Sequence, residues 1–313
     1  MGKIVILGGT GFVGRALVDR LQAEGHSVTV LSRNRERQRQ LLVYPRVRVV
    51  SARVYDPAEL AAHLRGADVA INLVGILNAS GRSAKGFERA HVTLTRTLLQ
   101  ACREAGVTRL VQMSALQAGQ GDSHYLQTRG QAETLVRESD LDWTMFQPSV
   151  IFGPGDGLFC RFASLLKLTP VLPLARAHAR FAPVYVHDVA AAMSRSIDRP
   201  EALQRIYPLG GPVQATLAEL VRYTAQVLGL RRVIVPIPDL LARLQGLAFD
   251  FLPVPLKLFS TDNYRSLLLD SLPERDGLAE LGIRATPFAD VVPSYLGHGR
   301  QSELDDYRSE AGR

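Results

Sequence analysis

The chain has 313 residues, 46% of them hydrophobic and 21% charged, the balance of an ordinary globular protein with enough length for a sizeable core. Lysine and arginine number 37 against 30 acidic residues, and the net charge of +7 suits polyanionic ligands such as a cofactor phosphate or an anionic membrane surface. Apolar runs break before the roughly 20 residues of a membrane span. Ile4–Leu7 ends in glycines rather than a leader-peptide cleavage site, and Cys102 and Cys160 form no ligand pattern. These features predict a cytoplasmic protein without a metal. Apart from Arg33, Arg35, Arg37 and Arg39 the basic residues are scattered, and no nucleic-acid-binding module is visible.

The first half alternates strand-like and helix-like segments. Lys3–Leu7 reads as a β-branched strand, followed by a helix over Phe12–Glu24 with Val13, Leu17 and Leu21 on one face. Strands are predicted at Ser27–Leu31 and Arg46–Ser51, then a short helix at Pro57–Leu64. Val69–Val74 is nearly all apolar, as a strand buried on both faces must be. A long helix over Phe87–Ala105 stops at Gly106. Arg109–Met113 is a strand, Tyr125–Ser139 a helix, and Thr144–Phe146 with its flanks a sixth strand. Such alternation implies βαβ units, right-handed crossovers and a doubly wound parallel sheet of the Rossmann type. Beyond Phe152 prolines multiply, at 154, 170, 173 and 183. The expected division is a dinucleotide-binding domain over 1–152, a smaller lobe over 153–300 and a polar tail over 301–313. Arg205–Leu209 is expected to return to the sheet, and Leu217–Leu228 to form an amphipathic helix.

The strongest motif lies at the first strand-to-helix turn, where Gly8, Gly11 and Gly14 are spaced GxxGxxG around Thr10, Phe12 and Val13. Gly8 permits the sharp turn. Gly11 lets the backbone approach a pyrophosphate with no Cβ in the way, and Gly14 lets the helix pack closely on the strand. The helix N-terminus then offers free N–H groups to phosphates. The end of the second strand separates NAD from NADP. NAD sites place an acid there for the ribose hydroxyls, whereas this chain reads Ser32-Arg33-Asn34-Arg35 with no acid before Glu36. A guanidinium pairs with a 2′-phosphate through two parallel hydrogen bonds. Arg33, with Ser32 and Arg35, therefore favours NADP(H), and NAD(H) stays open.

A second constellation joins Ser114, after the fifth strand, to Tyr125 and Arg129, one turn apart on the next helix. In a reductase of this architecture a tyrosine moves the proton as hydride is transferred. A serine positions the carbonyl, and a cation favours the ionised tyrosine and holds the nicotinamide ribose. The usual spacing is YxxxK, but here it is YxxxR. Arginine keeps the charge, is bulkier and does not pass protons.

Taken together, Gly8–Gly14, Asn72-Leu-Val-Gly75, Ser114-Ala-Leu, Tyr125-Leu-Gln-Thr-Arg129 and Gln147-Pro-Ser-Val-Ile-Phe-Gly153-Pro resemble the atypical short-chain dehydrogenase/reductases. Among these, the sequence is most similar to the group containing the nucleotide-binding accessory subunit of respiratory complex I, whose bacterial relatives are labelled NAD-dependent epimerase/dehydratase proteins. Pro183–Ala190 and Leu209–Pro212 extend the resemblance over nearly the whole chain. The resemblance implies that Asn72, Leu73, Val74 and Gly75 line the adenosine and ribose side of the cofactor. It implies that Pro148 to Ile151, Val150 among them, lie beside the nicotinamide, and that the second lobe forms the substrate pocket. Three positions depart from the pattern. Arg129 replaces lysine, Arg53 (with Val54 beside it at the cofactor) stands where an acid meets the adenine amino group, and Gln147 stands where many relatives have arginine.

Two functions fit: an NADP(H)-dependent oxidoreductase acting on a carbonyl, hydroxyl or quinone-like lipophilic substrate, or a non-catalytic NADPH-binding accessory protein of a respiratory complex or of quinone metabolism. His187-Asp188 reads as a helix start, with Asp188 as N-cap, and Cys160 and His178 carry no partner pattern. Finally, Leu240, Leu241, Leu244, Leu247, Ala248 and Phe251 form an apolar stripe, followed by Leu252, Val254, Leu256 and Leu258. Core, dimer contact, peripheral membrane contact through 238–259 and the lining of a lipid or isoprenoid-quinone pocket are the readings of such a stripe.

Overall fold

The computed structural model describes residues 1–79, 83–251 and 259–297. Its centre is a seven-stranded sheet in which every neighbouring pair is parallel. The strands are β1 (Lys3–Leu7), β2 (Ser27–Ser32), β3 (Val47–Ser51), β4 (Val69–Asn72), β5 (Arg109–Met113) and β6 (Asp142–Pro148), with Arg205–Leu209 beyond β6. They lie in the order Arg205–Leu209, β6, β5, β4, β1, β2, β3. The order reverses at β1 and β4, which opens a crevice beyond the carboxyl ends of the strands, where open α/β sheets take their ligands.

The alternation of side chains along β1 shows why the sheet is covered on both faces. Ile4 and Ile6 enter one core with Leu17, Leu21, Val189 and Met193. Val5 and Leu7 enter the other with Leu60, Leu64, Leu94 and Leu98. A strand with period two can feed two cores only if both sets are apolar, and this produces the continuous runs seen in β1 and β4. A third core, built largely from the chain beyond β6, is rich in rings: Phe152, Phe159 and Phe288 pack edge-on or tilted, with Tyr223 against Phe288 at 5.0 Å between centroids.

The predicted elements form, with several shifts. The first helix ends at Ala23, with Glu24 as its cap, and β4 stops at Asn72. The chain turns there because the Asn72 side chain accepts a hydrogen bond from the Val74 N–H. The long helix starts at Lys85, and Glu88–Thr93 within it is wound as a π-helix before Leu94–Ala105. The helix containing Tyr125 runs from His124 to Arg137. Asp188 is not an N-cap. Tyr185 holds that position, and Asp188 lies inside the helix Val186–Ile197, accepting from the Thr286 N–H at 2.7 Å and its hydroxyl at 3.1 Å. Burial raises its carboxyl above the usual range, against those hydrogen bonds. The stripe at 238–259 begins as the helix Asp239–Asp250. Leu252, Val254, Leu256, Leu258 and the tail over 301–313 lie outside the described residues.

Candidate cofactor and active site

The glycine turn has the geometry its chemistry requires. Gly8 adopts φ +81°, and a Cβ there would press on the Leu73–Val74 backbone at 3.0 Å. At Gly14 a Cβ would lie 2.4 Å from the Gly8 carbonyl oxygen, so the helix Phe12–Ala23 sits as close to the turn as only glycine allows. Gly11 is the N-cap of that helix, with no side-chain cap and no acid in the first turn. The N-terminal N–H groups and their positive dipole therefore face the crevice without a built-in anion. Thr10 anchors the turn through its carbonyl, which accepts from Arg15 Nε. Phe12 reaches across to Gly153, where a Cβ would meet its ring at 3.4 Å.

On the β2–β3 side, Ser32 is buried, and its hydroxyl is bonded to the Asn34 backbone. Arg33 is exposed and makes no ion pair with a described residue. Arg53 is different. Its Nε donates to Glu59 at 2.6 Å, and its own N–H is held by the same carboxylate at 2.8 Å. That pair keeps Glu59 below the usual carboxylate range. Val54 packs its side chain against the core beneath β3.

Beyond β4 and β5 the structure brings together Gly75, Tyr125 and Arg129, and Ser114 follows Met113, whose carbonyl Arg129 bonds. Arg129 is 6% exposed, yet pairs with no described carboxylate. Its Nη1 donates to the Met113 carbonyl at 2.9 Å and reaches the Val74 carbonyl at 3.5 Å, while the guanidinium lies 5.6 Å from the centre of the Tyr125 ring. Two buried polar atoms lack partners in this cluster, Arg129 Nε and Ser114 Oγ. A buried unsatisfied donor costs about 1–3 kcal/mol, so a ligand offering acceptors here is favoured. Gly75 makes room for the arginine, because a Cβ at this position would lie 1.9 Å from Arg129 Nη2. Gly75→Ala should therefore displace the guanidinium and destabilise the fold by about 1–3 kcal/mol. In a thermal double-mutant cycle with Arg129→Ala the two losses should be well below additive; additivity would show that the two residues do not compete for space.

Sequence reasoning missed His91, on the π-helix, whose ring packs on Tyr125 at 5.6 Å. Thr128 donates its hydroxyl proton to the His124 carbonyl. His91 Nδ1 therefore donates to Thr128 Oγ1, leaving Nε2 to accept the Ile76 N–H. Burial, then the nearby Arg129 charge, pushes the imidazole down to about 2. Its unfolded value is about 6.5, so the neutral ring contributes stability that is fully present above pH 6.5 and lost as pH falls towards 2. Well below pH 6.5 this group should remove about 1.4 kcal/mol of unfolding free energy per pH unit. Chemical denaturation of wild type and His91→Gln from pH 7 to pH 5 checks this; equal slopes would refute it.

Two further residues were hidden in the sequence. Asp262, from the second lobe, accepts the His124 N–H at 2.6 Å and the Tyr125 N–H at 3.1 Å. It thereby supplements the Ser123 cap of the helix that carries Tyr125. Glu133 is buried and accepts from Gln147. Pro148 holds the loop after β5 by accepting the Leu116 N–H, and Val150 accepts the Val184 N–H. No cluster of metal-binding side chains occurs among the described residues.

Comparison with known proteins agrees with this geometry. Residues 8–157 match the NAD(P)H-binding family, and this part of the chain is an NAD(P)-binding domain. Over nearly its whole length the chain resembles the short-chain dehydrogenase/reductase-like group that includes complex I accessory subunits. It is 29% identical to a ceramide reductase of Caulobacter vibrioides over 98% of this chain and 95% of that protein. It is 29% identical to the mitochondrial NADH dehydrogenase (ubiquinone) 1 alpha subcomplex subunit 9 of Arabidopsis thaliana, over 85% of this chain and 70% of that one. Among solved structures, a dTDP-glucose 4,6-dehydratase from Streptomyces venezuelae with NAD bound superposes with a TM-score of 0.72 at 22% identity. It covers 94% of this chain and 95% of the other, a likeness of fold.

The residues present fit a dinucleotide. The crevice has a glycine turn at a bare helix N-terminus, an arginine without a described partner on one side, and on the other a tyrosine in contact with an arginine whose buried Nε lacks a partner.

Proposed function

We propose that this protein is an NADP(H)-dependent oxidoreductase that reduces a carbonyl or quinone-like group of a lipophilic substrate, peripherally at the inner face of a membrane. The observation that carries the reading is the buried, carboxylate-free Arg129 packed on the Tyr125 ring next to Ser114 with its orphaned hydroxyl. The bound cofactor would supply hydride. Gly8, Gly11 and Gly14 would seat its pyrophosphate on the helix N-terminus, and Arg33 would pair with the 2′-phosphate. Leu73, Val74 and Gly75 would flank the ribose, with Pro148 and Val150 at the nicotinamide. Ser114 Oγ would donate to the substrate oxygen and Tyr125 would deliver the proton to it. Arg129 would place positive charge where the phenolate forms, with its free Nε available to a ribose hydroxyl. Because arginine does not release a proton at neutral pH, Tyr125 must be reprotonated from solvent rather than through residue 129.

The lipophilic substrate is supported by two relatives: one is named a ceramide reductase, and the other a subunit of an NADH dehydrogenase (ubiquinone). The departure from lysine at Arg129 favours a second reading, an accessory protein that holds NADPH without turning it over. Oxidation of NADPH by the purified protein, offered a long-chain aliphatic ketone or a short-tailed benzoquinone, separates the two. Turnover supports the enzyme, and tight NADPH binding without turnover supports the accessory role.

A further inference from the structure

The helix Asp239–Asp250 is amphipathic in the inverted sense. The face it turns to the protein is small and tight: Ala242, Gly246 and Asp250 are buried. At Gly246 a Cβ would lie 3.1 Å from the Thr261 nitrogen. The face it turns outward is large and apolar, with Leu240 70% exposed, Leu241 52%, Leu244 54% and the following Phe251 83%. Ordinary surface helices place these residues the other way round. The apolar surface continues into the parallel strand pair Val171–Leu174 and Val233–Pro236, where Val171, Val233 and Val235 are exposed, and Leu168 precedes it at 79%.

Cations outnumber acids here, and both acids are engaged. Lys167, Arg231 and Arg243, which stand on or next to these elements in the chain, are exposed. Of the two acids on the helix, Asp250 turns inward and Asp239 is taken by Arg176. Two occupants are thereby disfavoured. A water-facing role leaves four large apolar side chains exposed on one face, and a second copy of this chain would bring the same leucines with the same positive charge. An anionic lipid surface answers both features, since leucine and phenylalanine enter the acyl boundary while lysine and arginine meet the headgroups.

We propose that the outward face of Asp239–Asp250, with Phe251 and the exposed edge of the strand pair, docks on an anionic bilayer. The proposal rests on the peripheral-membrane part of the proposed function and gives it a surface and a lipid class. The buried side of the same helix connects it to the active site. Thr261, against which the helix packs, precedes Asp262, whose carboxylate caps the helix carrying Tyr125, and Asn263 donates to the Leu77 carbonyl on the loop after β4. A lipid substrate drawn from the bilayer would thus arrive beside the nicotinamide end of the crevice.

The test is co-sedimentation of the full chain with phosphatidylglycerol vesicles and with phosphatidylcholine vesicles, with Leu244→Glu and Leu240→Glu as variants and NADPH titration of each sample. The expected result is binding to phosphatidylglycerol, at least tenfold weaker on phosphatidylcholine and in either variant, with NADPH affinity unchanged. Three results would overturn the proposal: wild type remaining in the supernatant with phosphatidylglycerol, variants that bind as wild type does, or a dimer by ultracentrifugation that the variants split and vesicles ignore. Unchanged NADPH binding certifies the fold of the variants. Vesicle binding without any reductase activity would leave this surface standing and remove the enzyme reading.

Discussion

Tyr125→Phe should lower turnover by about 10²–10⁴-fold, the range that a positioned general acid contributes, while NADPH affinity stays within about twofold of wild type. The reason is geometric. The Tyr125 ring contacts both the His91 ring and the Arg129 guanidinium. Replacing it by phenylalanine keeps both packing contacts and removes only the hydroxyl, so any loss must come from proton delivery. The measurement is NADPH oxidation with a long-chain ketone, fitted for kcat and KM separately. A fall confined to kcat supports the assignment, and an unchanged kcat would move the proton source elsewhere. Arg129→Lys tests the partner residue. Lysine fills the Gly75 notch with less bulk and supplies the proton relay that arginine lacks, so turnover should rise rather than fall where reprotonation of Tyr125 limits the reaction.

Arg33→Ala should weaken NADPH by about 10–100-fold and leave NADH unchanged. A hydrogen bond to a charged group is worth about 1.5–3 kcal/mol, and each 1.4 kcal/mol is about tenfold in affinity. Arg33 is exposed and pairs with no described residue, so its removal exposes no buried partner among them and should leave stability untouched. Arg53 offers the contrast. It is already engaged with Glu59 and Asp56, so its release for cofactor contact would first require breaking that pair. Equal losses for NADPH and NADH in Arg33→Ala would mean that the 2′-phosphate is read elsewhere on the crevice.

The features that could be read in the sequence are those determined locally or by burial. β1 and β4 show because a strand covered on both faces must be apolar throughout. The glycine turn shows because three separate steric demands fall on fixed positions. Pro57–Leu64 shows because Asp56 caps it and proline starts it, a signal contained within a few residues. What stayed hidden depends on partners distant in the chain. Asp188 before an alanine-rich run looks like a cap, but the carboxylate is claimed by Thr286, 98 positions away. His91 is held by Ile76 and Thr128, from two other elements, and the π-helix that aims it leaves no composition signal. Asp262 reaches the start of the Tyr125 helix from 138 positions away. At Arg129 the sequence shows a cation in place of lysine. It does not show that the guanidinium is buried, that Gly75 leaves it room, or that one of its nitrogens lacks a partner.

The most direct test of the account is calorimetric titration of the purified protein with NADPH and with NADH. The account predicts saturable binding of both, with NADPH the tighter by about 10-fold or more through Arg33. If neither nucleotide bound at millimolar concentration, the glycine turn would be a packing feature alone, and the cofactor site argued from it would be contradicted.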